Sequence, residues 1–300
     1  MFGEINLYLC EPRGFCGGVT RAVKIVEGTL NKFGAPIYVY HEIVHNKHIV
    51  DDFRQRGVLF IEHLDEISDF SRPLVFSAHG VPLALEERAK EMNLISIDAT
   101  CPLVKKVHKK VKDLEQEKTN IIIIGKKNHQ EIIGTKGQLS NIEKVHIVSS
   151  IEDIEKLKID NKNIGFVTQT TLSLDENKEM IEALQNKYPN INSLSKSDIC
   201  YATTERQNGI KNLCKFAEAI IIIGSKNSSN SNKLKEVALV EGAKVAFLID
   251  DASELDWEKL STFQNIGISS GASAPEHLVE ALVETFKSRY EKIKITSVKI

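Results

Sequence analysis

Short apolar runs alternate with amphipathic stretches along the chain. Residues 121–124 and Ala219–Ile223 are runs of the length expected for buried strands. Between such runs, apolar positions recur at three- and four-residue intervals, as they do on the inner face of a helix. This alternation predicts an α/β protein with parallel sheets that are covered on both faces by helices.

Three of the predicted helices begin directly after a cysteine. These cysteines are Cys16, Cys101 and Cys200, and Pro102 suits the first turn of the second helix. In the third helix, Thr203 and Thr204 are the predicted N-caps. The other two cysteines are predicted to be core residues, since Cys10 ends an apolar strand and Cys214 lies on the apolar face of a helix.

A strand that ends in a polar loop follows each of these helices. The spacing from cysteine to loop is nearly constant, because His45, His129 and Ser228 follow their cysteines by 29, 28 and 28 residues. A second strand and polar loop then brings His79, Thr170 and Ser273. The pattern indicates a threefold repeat of about 90–100 residues per unit. The alternative is that any α/β protein shows strand–loop–helix recurrence without a repeat.

The polar loops should meet at one edge of the fold. In parallel sheets, ligands bind beyond the carboxyl ends of the strands, where these loops and the three cysteines lie. Converging donors and loop N–H groups suit a phosphate or diphosphate. The donor side chains are His45, His79, His129, Ser228, Ser229, Asn230 and Ser273, and Lys126, Lys127 and Lys226 flank them.

One carboxylate is a candidate for proton transfer. Glu131 follows His129 by two residues, and Thr170 is expected beside it. A carboxylic acid next to a hydroxyl can relay a proton. The alternative is an exposed loop glutamate, which is the commoner situation for this residue type.

Composition limits the kind of protein. The chain has 300 residues, a formal net charge of −2 and 42% hydrophobic residues, as expected for a globular protein without a nucleic-acid partner. No apolar run is long enough to span a bilayer, and the first residues do not resemble a secretory signal. We therefore expect a cytoplasmic protein without membrane association, in which the thiols stay reduced.

Thiolates at helix N-termini favour anionic sulfur and metal binding. Three protein ligands leave one coordination position open for chemistry. Two rival interpretations are a non-catalytic three-cysteine metal or cluster scaffold, or redox sensor, and a phosphohydrolase with Cys16 as nucleophile. The second lacks the arginine expected after the nucleophilic cysteine of such enzymes.

Eight sequence blocks together resemble one family, the 4-hydroxy-3-methylbut-2-enyl diphosphate reductases. In chain order the blocks are PRGFCGGVTRAV, VHNK, FSAHGV, DATCPLVKKVH, TQTTLS, DICYATTERQ, GSKNSSNS and GASAPE. The resemblance runs from about Pro12 to the region of Phe286. One departure is Gln130, which stands where the family often has proline between the histidine and the glutamate.

The resemblance implies three α/β domains in a pseudo-threefold cloverleaf around a central [4Fe-4S] cluster, with boundaries at 1–100, 101–196 and 197–300. The cluster ligands would be Cys16, Cys101 and Cys200, which leaves one iron open. The family's diphosphate-binding residues fall on the seven donors named above. Its proton-delivering pair falls on Glu131 and Thr170, with Thr171 near the site.

The implied reaction is the reductive removal of a hydroxyl group from the allylic diphosphate. The products are isopentenyl and dimethylallyl diphosphate, in the last step of the methylerythritol phosphate route to isoprenoids. The chain has no GxGxxG motif after a predicted strand. An external electron donor is therefore expected, and the family resemblance implies that it is of the ferredoxin or flavodoxin type.

Overall fold

The computed structural model describes residues 2–117, 119–159, 163–191 and 198–300. The strands are β1 (Phe2–Glu11), β2 (Ile37–Tyr40), β3 (Val58–Ile61), β4 (Leu74–Phe76), β5 (Ser96–Asp98), β6 (Asn120–Ile124), β7 (Val145–Val148), β8 (Ile164–Thr168), β9 (Ala219–Ile223), β10 (Val245–Ile249), β11 (Asn265–Ser270) and β12 (Tyr290–Lys299).

The helices lie between these strands. They are α1 (Gly17–Phe33), α2 (Lys47–Gln55), α3 (Leu83–Glu91), α4 (Pro102–Gln116), α5 (Gln130–Lys136), α6 (Ile151–Lys156), α7 (Leu174–Lys187), α8 (Tyr201–Leu213), α9 (Ser229–Val240), α10 (Trp257–Leu260) and α11 (Glu276–Arg289). No helix among the described residues combines the length and the apolar character that crossing a bilayer requires.

The chain divides into two compact units. Unit one comprises Met1–Gly17, His45–Ile49 and Tyr201–Ile300, and unit two comprises Gly18–Val44 and Val50–Cys200. Unit one contains a five-stranded sheet in the order β10-β9-β11-β1-β12. Unit two contains a four-stranded sheet, β3-β2-β4-β5, and a three-stranded sheet, β7-β6-β8.

The strand pairs in these sheets are parallel, which confirms the predicted α/β class. Strand β1 pairs with β11 and β12, so the first strand of the chain lies in the same sheet as the last. The division at 1–100, 101–196 and 197–300 stays a prediction. Its second boundary lies outside the described residues.

Both faces of the central strands are buried, as their unbroken apolar sequences predict. In β9, Ile221 packs with Leu282 and Phe286 of α11, whereas Ile220 packs on the opposite face with Ile210 of α8. Burying an isoleucine contributes about 1.5–3 kcal/mol relative to leaving it exposed. The loops at the carboxyl ends of such strands therefore extend from a rigid base.

The cysteine-to-helix prediction is confirmed. Helices α1, α4 and α8 begin at the residue after Cys16, Cys101 and Cys200 respectively. Cys10 is fully buried and Cys214 packs half-buried beside it, as expected of core residues.

The prediction that Thr203 and Thr204 cap the third helix is wrong. Helix α8 begins at Tyr201, directly after the cysteine, so both threonines lie inside its first turn.

Candidate active site

In unit two, Glu131 is buried and is held by Thr170. The Thr170 backbone N–H donates to Glu131 Oε1 at 2.7 Å, and the Thr170 hydroxyl donates to Oε2 at 3.0 Å. Glu131 lies in the first turn of α5 and is only 3% exposed. The alternative of an exposed loop glutamate is therefore wrong, because the side chain folds inward toward the end of β8.

Burial changes the acidity of this carboxyl group. Loss of solvation raises the pKa of Glu131 to about 7, and the negative charge of Asp198 acts in the same direction. The two hydrogen bonds from Thr170 oppose the shift, since they stabilise the carboxylate. A carboxylic acid with a pKa near neutrality is suited to proton transfer.

Two of the predicted donor histidines lie close together in unit two. His79 follows β4 and His129 caps α5, and their ring centroids are 6.0 Å apart with the rings edge to face. His129 Nδ1 accepts a hydrogen bond from the Glu131 backbone N–H at 3.2 Å. A neutral His129 ring therefore carries its proton on Nε2, where it can be donated to an anion.

Backbone hydrogen bonds tie the two cysteines of unit two to these loops. The Cys200 N–H donates to the Thr170 carbonyl at 3.0 Å, and the Cys101 N–H donates to the Ala78 carbonyl at 3.0 Å. Each thiol is thus fixed beside a polar loop that ends a strand. Gln169 donates to the Thr171 hydroxyl at 2.9 Å, which places Thr171 in the same loop.

In unit one, the loops that follow β1 and β11 meet the short segment that carries His45. The Cys16 N–H donates to the Ala272 carbonyl at 3.0 Å, and the Ser273 hydroxyl donates to the His45 carbonyl at 2.9 Å. The Gly14 N–H donates to the Ser270 hydroxyl at 2.7 Å. These bonds bring Cys16, His45 and Ser273 together.

Helix α9 presents its N-terminus in unit one. Ser228 is the N-cap and its hydroxyl accepts from the Ser231 N–H, and Ser229 and Asn230 form the first turn. Asn230 is buried, and neither atom of its side-chain amide has a hydrogen-bond partner within the part of the chain that the structure describes. A buried amide without a partner at a helix N-terminus favours an anionic ligand.

The five cysteines fall into two groups that differ in environment. Cys16, Cys101 and Cys200 are partly exposed at helix starts, where thiolates are favoured. Burial raises the pKa of Cys10, and it raises that of Cys214 to about 11. The first three cysteines fit cluster ligation, whereas the other two are inert core thiols.

The lysines that flank the donor loops are exposed to solvent. Lys126 and Lys127 lie at the surface, and Lys226 pairs with Glu254 at 3.7 Å. They are not among the buried donors.

His41 lies beside His79 in unit two and is not among the site residues that the sequence predicts. The ring centroid of His41 lies 6.0 Å from that of His79, and His41 Nδ1 pairs with Glu62 at 2.9 Å. Its φ of 56° is left-handed, which is uncommon for a residue other than glycine. The available signal was the pair of histidines four apart, His41 and His45, after an apolar strand.

These features define a class: a parallel α/β protein with half-exposed cysteines and hydrogen-bond donors at its strand ends. The chain belongs to the LytB protein family, whose model matches residues 7–287.

Curated relatives carry the name 4-hydroxy-3-methylbut-2-enyl diphosphate reductase. The chain is 47% identical over 288 residues to one from Ruegeria sp., covering 96% of this chain and 90% of the relative. It is 45% identical over 289 residues to one from Methylocella silvestris, with the same coverage.

Two solved structures are similar. The E-1-hydroxy-2-methyl-but-2-enyl-4-diphosphate reductase from Plasmodium falciparum matches with a TM-score of 0.93 and 38% identity, covering 98% of this chain and 92% of that one. A second structure is described as (E)-4-hydroxy-3-methyl-but-2-enyl diphosphate reductase, the terminal enzyme of the non-mevalonate pathway. It matches with a TM-score of 0.66 and 32% identity over 95% of this chain and 99% of that one.

Proposed function

We propose that this chain is a 4-hydroxy-3-methylbut-2-enyl diphosphate reductase, an iron–sulfur oxidoreductase of isoprenoid biosynthesis. The reaction consumes one allylic diphosphate, two electrons and two protons. It releases one water and isopentenyl or dimethylallyl diphosphate. The observation that carries the proposal is the buried pair of Glu131 and Thr170 in a chain that matches reductases over nearly its full length.

The diphosphate is bound by the hydrogen-bond donors that the sequence predicts. Its ligands in this proposal are His45, His79, His129, Ser228, Ser229, Asn230 and Ser273. Neutral donors and helix N–H groups bind a diphosphate by hydrogen bonds without a large excess of positive charge. The amide of Asn230, which has no hydrogen-bond partner among residues 2–117, 119–159, 163–191 and 198–300, gains one from such a ligand.

Glu131 is the proton donor. Because burial raises the pKa of Glu131 to about 7, the carboxyl group keeps a proton near neutral pH. For transfer, the protonated Oε2 donates to the Thr170 hydroxyl oxygen 3.0 Å away, in the reverse sense to the hydrogen bond in the structure, and the Thr170 hydroxyl donates its own proton to the departing hydroxyl group. A non-catalytic cluster scaffold would have no use for such a buried acid.

The electrons require a cofactor, and we propose a [4Fe-4S] cluster held by Cys16, Cys101 and Cys200. When bound, a cluster with one iron free of protein ligands supplies single electrons and a Lewis-acid position. The three thiols suit it because each lies at a helix N-terminus, where anionic sulfur is stabilised. A ferredoxin- or flavodoxin-type protein is the proposed electron donor.

Anaerobic purification tests both parts. We expect a brown protein with about four irons per chain that converts the allylic diphosphate when a chemical reductant is supplied. Cys16→Ala, Cys101→Ala and Cys200→Ala should each lose iron, whereas Cys214→Ala, the control for a half-buried thiol, should retain it. A colourless zinc protein without turnover, or iron retained in all three variants, would refute the proposal.

A further inference from the structure

In unit two, the loop that carries His79 lies directly on helix α5. The Leu83 N–H donates to the Gly137 carbonyl at 2.9 Å, and the Gln138 side-chain amide donates to the Val81 carbonyl at 2.7 Å. The second bond is buried. These two bonds join the segment after β4 to the end of the helix that His129 caps.

Two glycines allow the backbones to touch. A Cβ added to Gly134 would stand 3.0 Å from the Gly80 carbonyl oxygen and 3.1 Å from its carbon. A Cβ added to Gly137 would stand 2.8 Å from Pro82 Cα. The atoms nearest Gly134 are backbone, and those nearest Gly137 are Pro82 Cα and the closed ring of Pro82, so neither set can swing aside as a flexible side-chain tip can. Any side chain at either position would therefore push the His79 loop away from α5.

The other side of the same loop rests on helix α4. Gly80 has φ of +78°, and a Cβ there would stand 2.6 Å from His108 Cε1 and 3.2 Å from Thr100 Cγ2. His108 is buried, and its burial lowers its pKa to about 4, so the ring packs as a neutral group. Gly80 is thus enclosed on both sides, by α4 and by α5.

The enclosed residue adjoins a proposed diphosphate ligand. His79 immediately precedes Gly80, and its ring lies 6.0 Å from that of His129 at the start of α5. A shift of the loop relative to α5 therefore changes the separation of the two rings directly.

We propose that Gly134 and Gln138 are positioning residues for diphosphate binding, because their contacts with the Gly80–Val81 backbone fix the distance between His79 and His129. This inference rests on the proposed function, since it assigns both histidines to the substrate. Neither Gly134 nor Gln138 touches the substrate. A misplacement of 1 Å caused by a distant substitution can reduce the rate of an enzyme by about 100-fold, and we expect a smaller effect on binding from a smaller shift.

The test uses the cluster-loaded enzyme with Gly134→Ala and a matched control, Gly28→Ala. Gly28 lies inside α1, where an added Cβ meets no atom of the described residues within 4 Å. For Gly134→Ala we expect the Kd of inorganic diphosphate, measured by calorimetry, and the KM of the allylic diphosphate each to rise about 10-fold. The kcat and the iron content should stay near the wild-type values. Gly28→Ala should leave all four quantities unchanged.

Gln138→Met is the milder second variant, because it keeps the side-chain volume and removes the donor to Val81. It should raise the Kd of diphosphate in the same direction, and it decides the outcome if Gly134→Ala does not fold. A lowered melting temperature with wild-type Kd and KM in both variants would show a purely structural role and overturn the inference. Failure of the wild-type enzyme itself to turn over the substrate would instead refute the proposed function.

Discussion

Thr170 donates both of its hydrogen bonds to Glu131, one from the backbone and one from the side chain. The two N/O···O distances are 2.7 and 3.0 Å, and they engage different oxygens of the same carboxyl group. The Thr170 carbonyl in turn accepts from the Cys200 N–H at 3.0 Å. A single residue therefore links the proposed proton donor to the backbone of a proposed cluster ligand.

Replacement of Glu131 by glutamine should abolish most turnover without loss of the cofactor. Glutamine keeps the shape and can still accept from Thr170, but it carries no transferable proton. Proton transfer by a positioned side chain contributes about 10²–10⁴-fold, so we expect kcat to fall by that factor. Steady-state kinetics and iron analysis measure the two effects.

Glu143→Gln is the matched control, because Glu143 is an exposed glutamate on a nearby turn. It should keep wild-type kinetics. Near-normal turnover of Glu131→Gln with full iron content would contradict the relay.

The pH dependence of kcat gives a second prediction. The pKa of Glu131 is raised to about 7, so the proton is present below that pH and is lost above it. The wild-type kcat should therefore decline as pH rises through about 7. In Thr170→Val the hydroxyl bond that favours the carboxylate is absent, so the decline should move to higher pH while the maximal rate falls.

The control for this experiment is Thr262→Val, an exposed threonine in unit one whose hydroxyl bonds a local carbonyl. Its profile should match that of the wild type. If kcat of Thr170→Val instead declined at a lower pH than kcat of the wild type, the hydroxyl would not stabilise the carboxylate.

The same carboxyl group makes folding stability depend on pH. Its pKa is about 7 in the folded chain against 4.5 for an unperturbed glutamate, so folding takes up a proton between these values. The protonated carboxyl group therefore makes its whole contribution to folding stability below about pH 4.5, and this contribution is lost as the pH rises through about 7. The shift corresponds to about 3 kcal/mol.

Urea unfolding of the wild type and Glu131→Gln at pH 5 and pH 8 checks this sign. The free energy of unfolding of the variant, minus that of the wild type, should be larger at pH 8 than at pH 5, because glutamine does not ionise. A stability difference that stays constant between the two pH values would mean that Glu131 is already ionised in the folded chain at pH 5.

Sequence periodicity predicted the parts of the site that depend on local chain order. A cysteine directly before an amphipathic stripe gave the starts of α4 and α8, and an apolar strand followed by polar residues placed His79 and His129 at strand ends. These features are local, since strand length, helix period and loop polarity depend on consecutive residues. The start of α8 was assigned wrongly because the sequence alone does not distinguish a threonine at the N-cap from a threonine in the first helical turn.

Features that arise from long-range packing were not predictable. Gly134 is a weak helix former in sequence, yet it is where the Gly80–Val81 backbone passes. The left-handed φ of His41 and the inward turn of Glu131 likewise depend on residues far away in the chain. The loss of solvation around Glu131 is set by the complete fold, so its pKa could not be read from composition.

A nearly buried ion pair connects α4 to the segment before Cys200. Lys110 Nζ lies 3.1 Å from Asp198 Oδ2, which also accepts from the Thr168 N–H at 3.0 Å, and the two side chains are 13% and 12% exposed. Lys110→Met should destabilise the protein by about 1–3 kcal/mol, because the Asp198 carboxylate loses this compensating charge. Chemical denaturation measures the change.

The control pair is exposed: Lys178 and Glu182 are 3.9 Å apart, with side chains 77% and 58% exposed. Lys178→Met should change stability by no more than about 0.5 kcal/mol. Adding Asp198→Asn to Lys110→Met should recover part of the loss, since no unbalanced charge then remains from the pair. Equal losses for the two lysine variants would show that burial adds nothing to the interaction.

Asn230 provides a test of diphosphate binding in unit one. Its buried amide has no hydrogen-bond partner among the described residues and lies in the first turn of α9, where the helix dipole favours negative charge. Asn230→Asp places a carboxylate at a position only 5% exposed, so its loss of solvation should outweigh the dipole's stabilisation and lower the melting temperature. The same carboxylate would repel a diphosphate, so the Kd of inorganic diphosphate should rise on the order of 10²-fold.

Asn230→Ala, which removes the donor without adding charge, should raise the Kd by about 10-fold. Asn212→Asp adds the same charge at a surface position of α8, where the amide bonds the Lys299 carbonyl, and should leave diphosphate binding unchanged. Calorimetric titration of all three variants with inorganic diphosphate measures the three Kd values and hence their ranking. A Kd for Asn230→Asp equal to that of Asn212→Asp would place the diphosphate away from α9, and the ligand role of Asn230 would then be wrong.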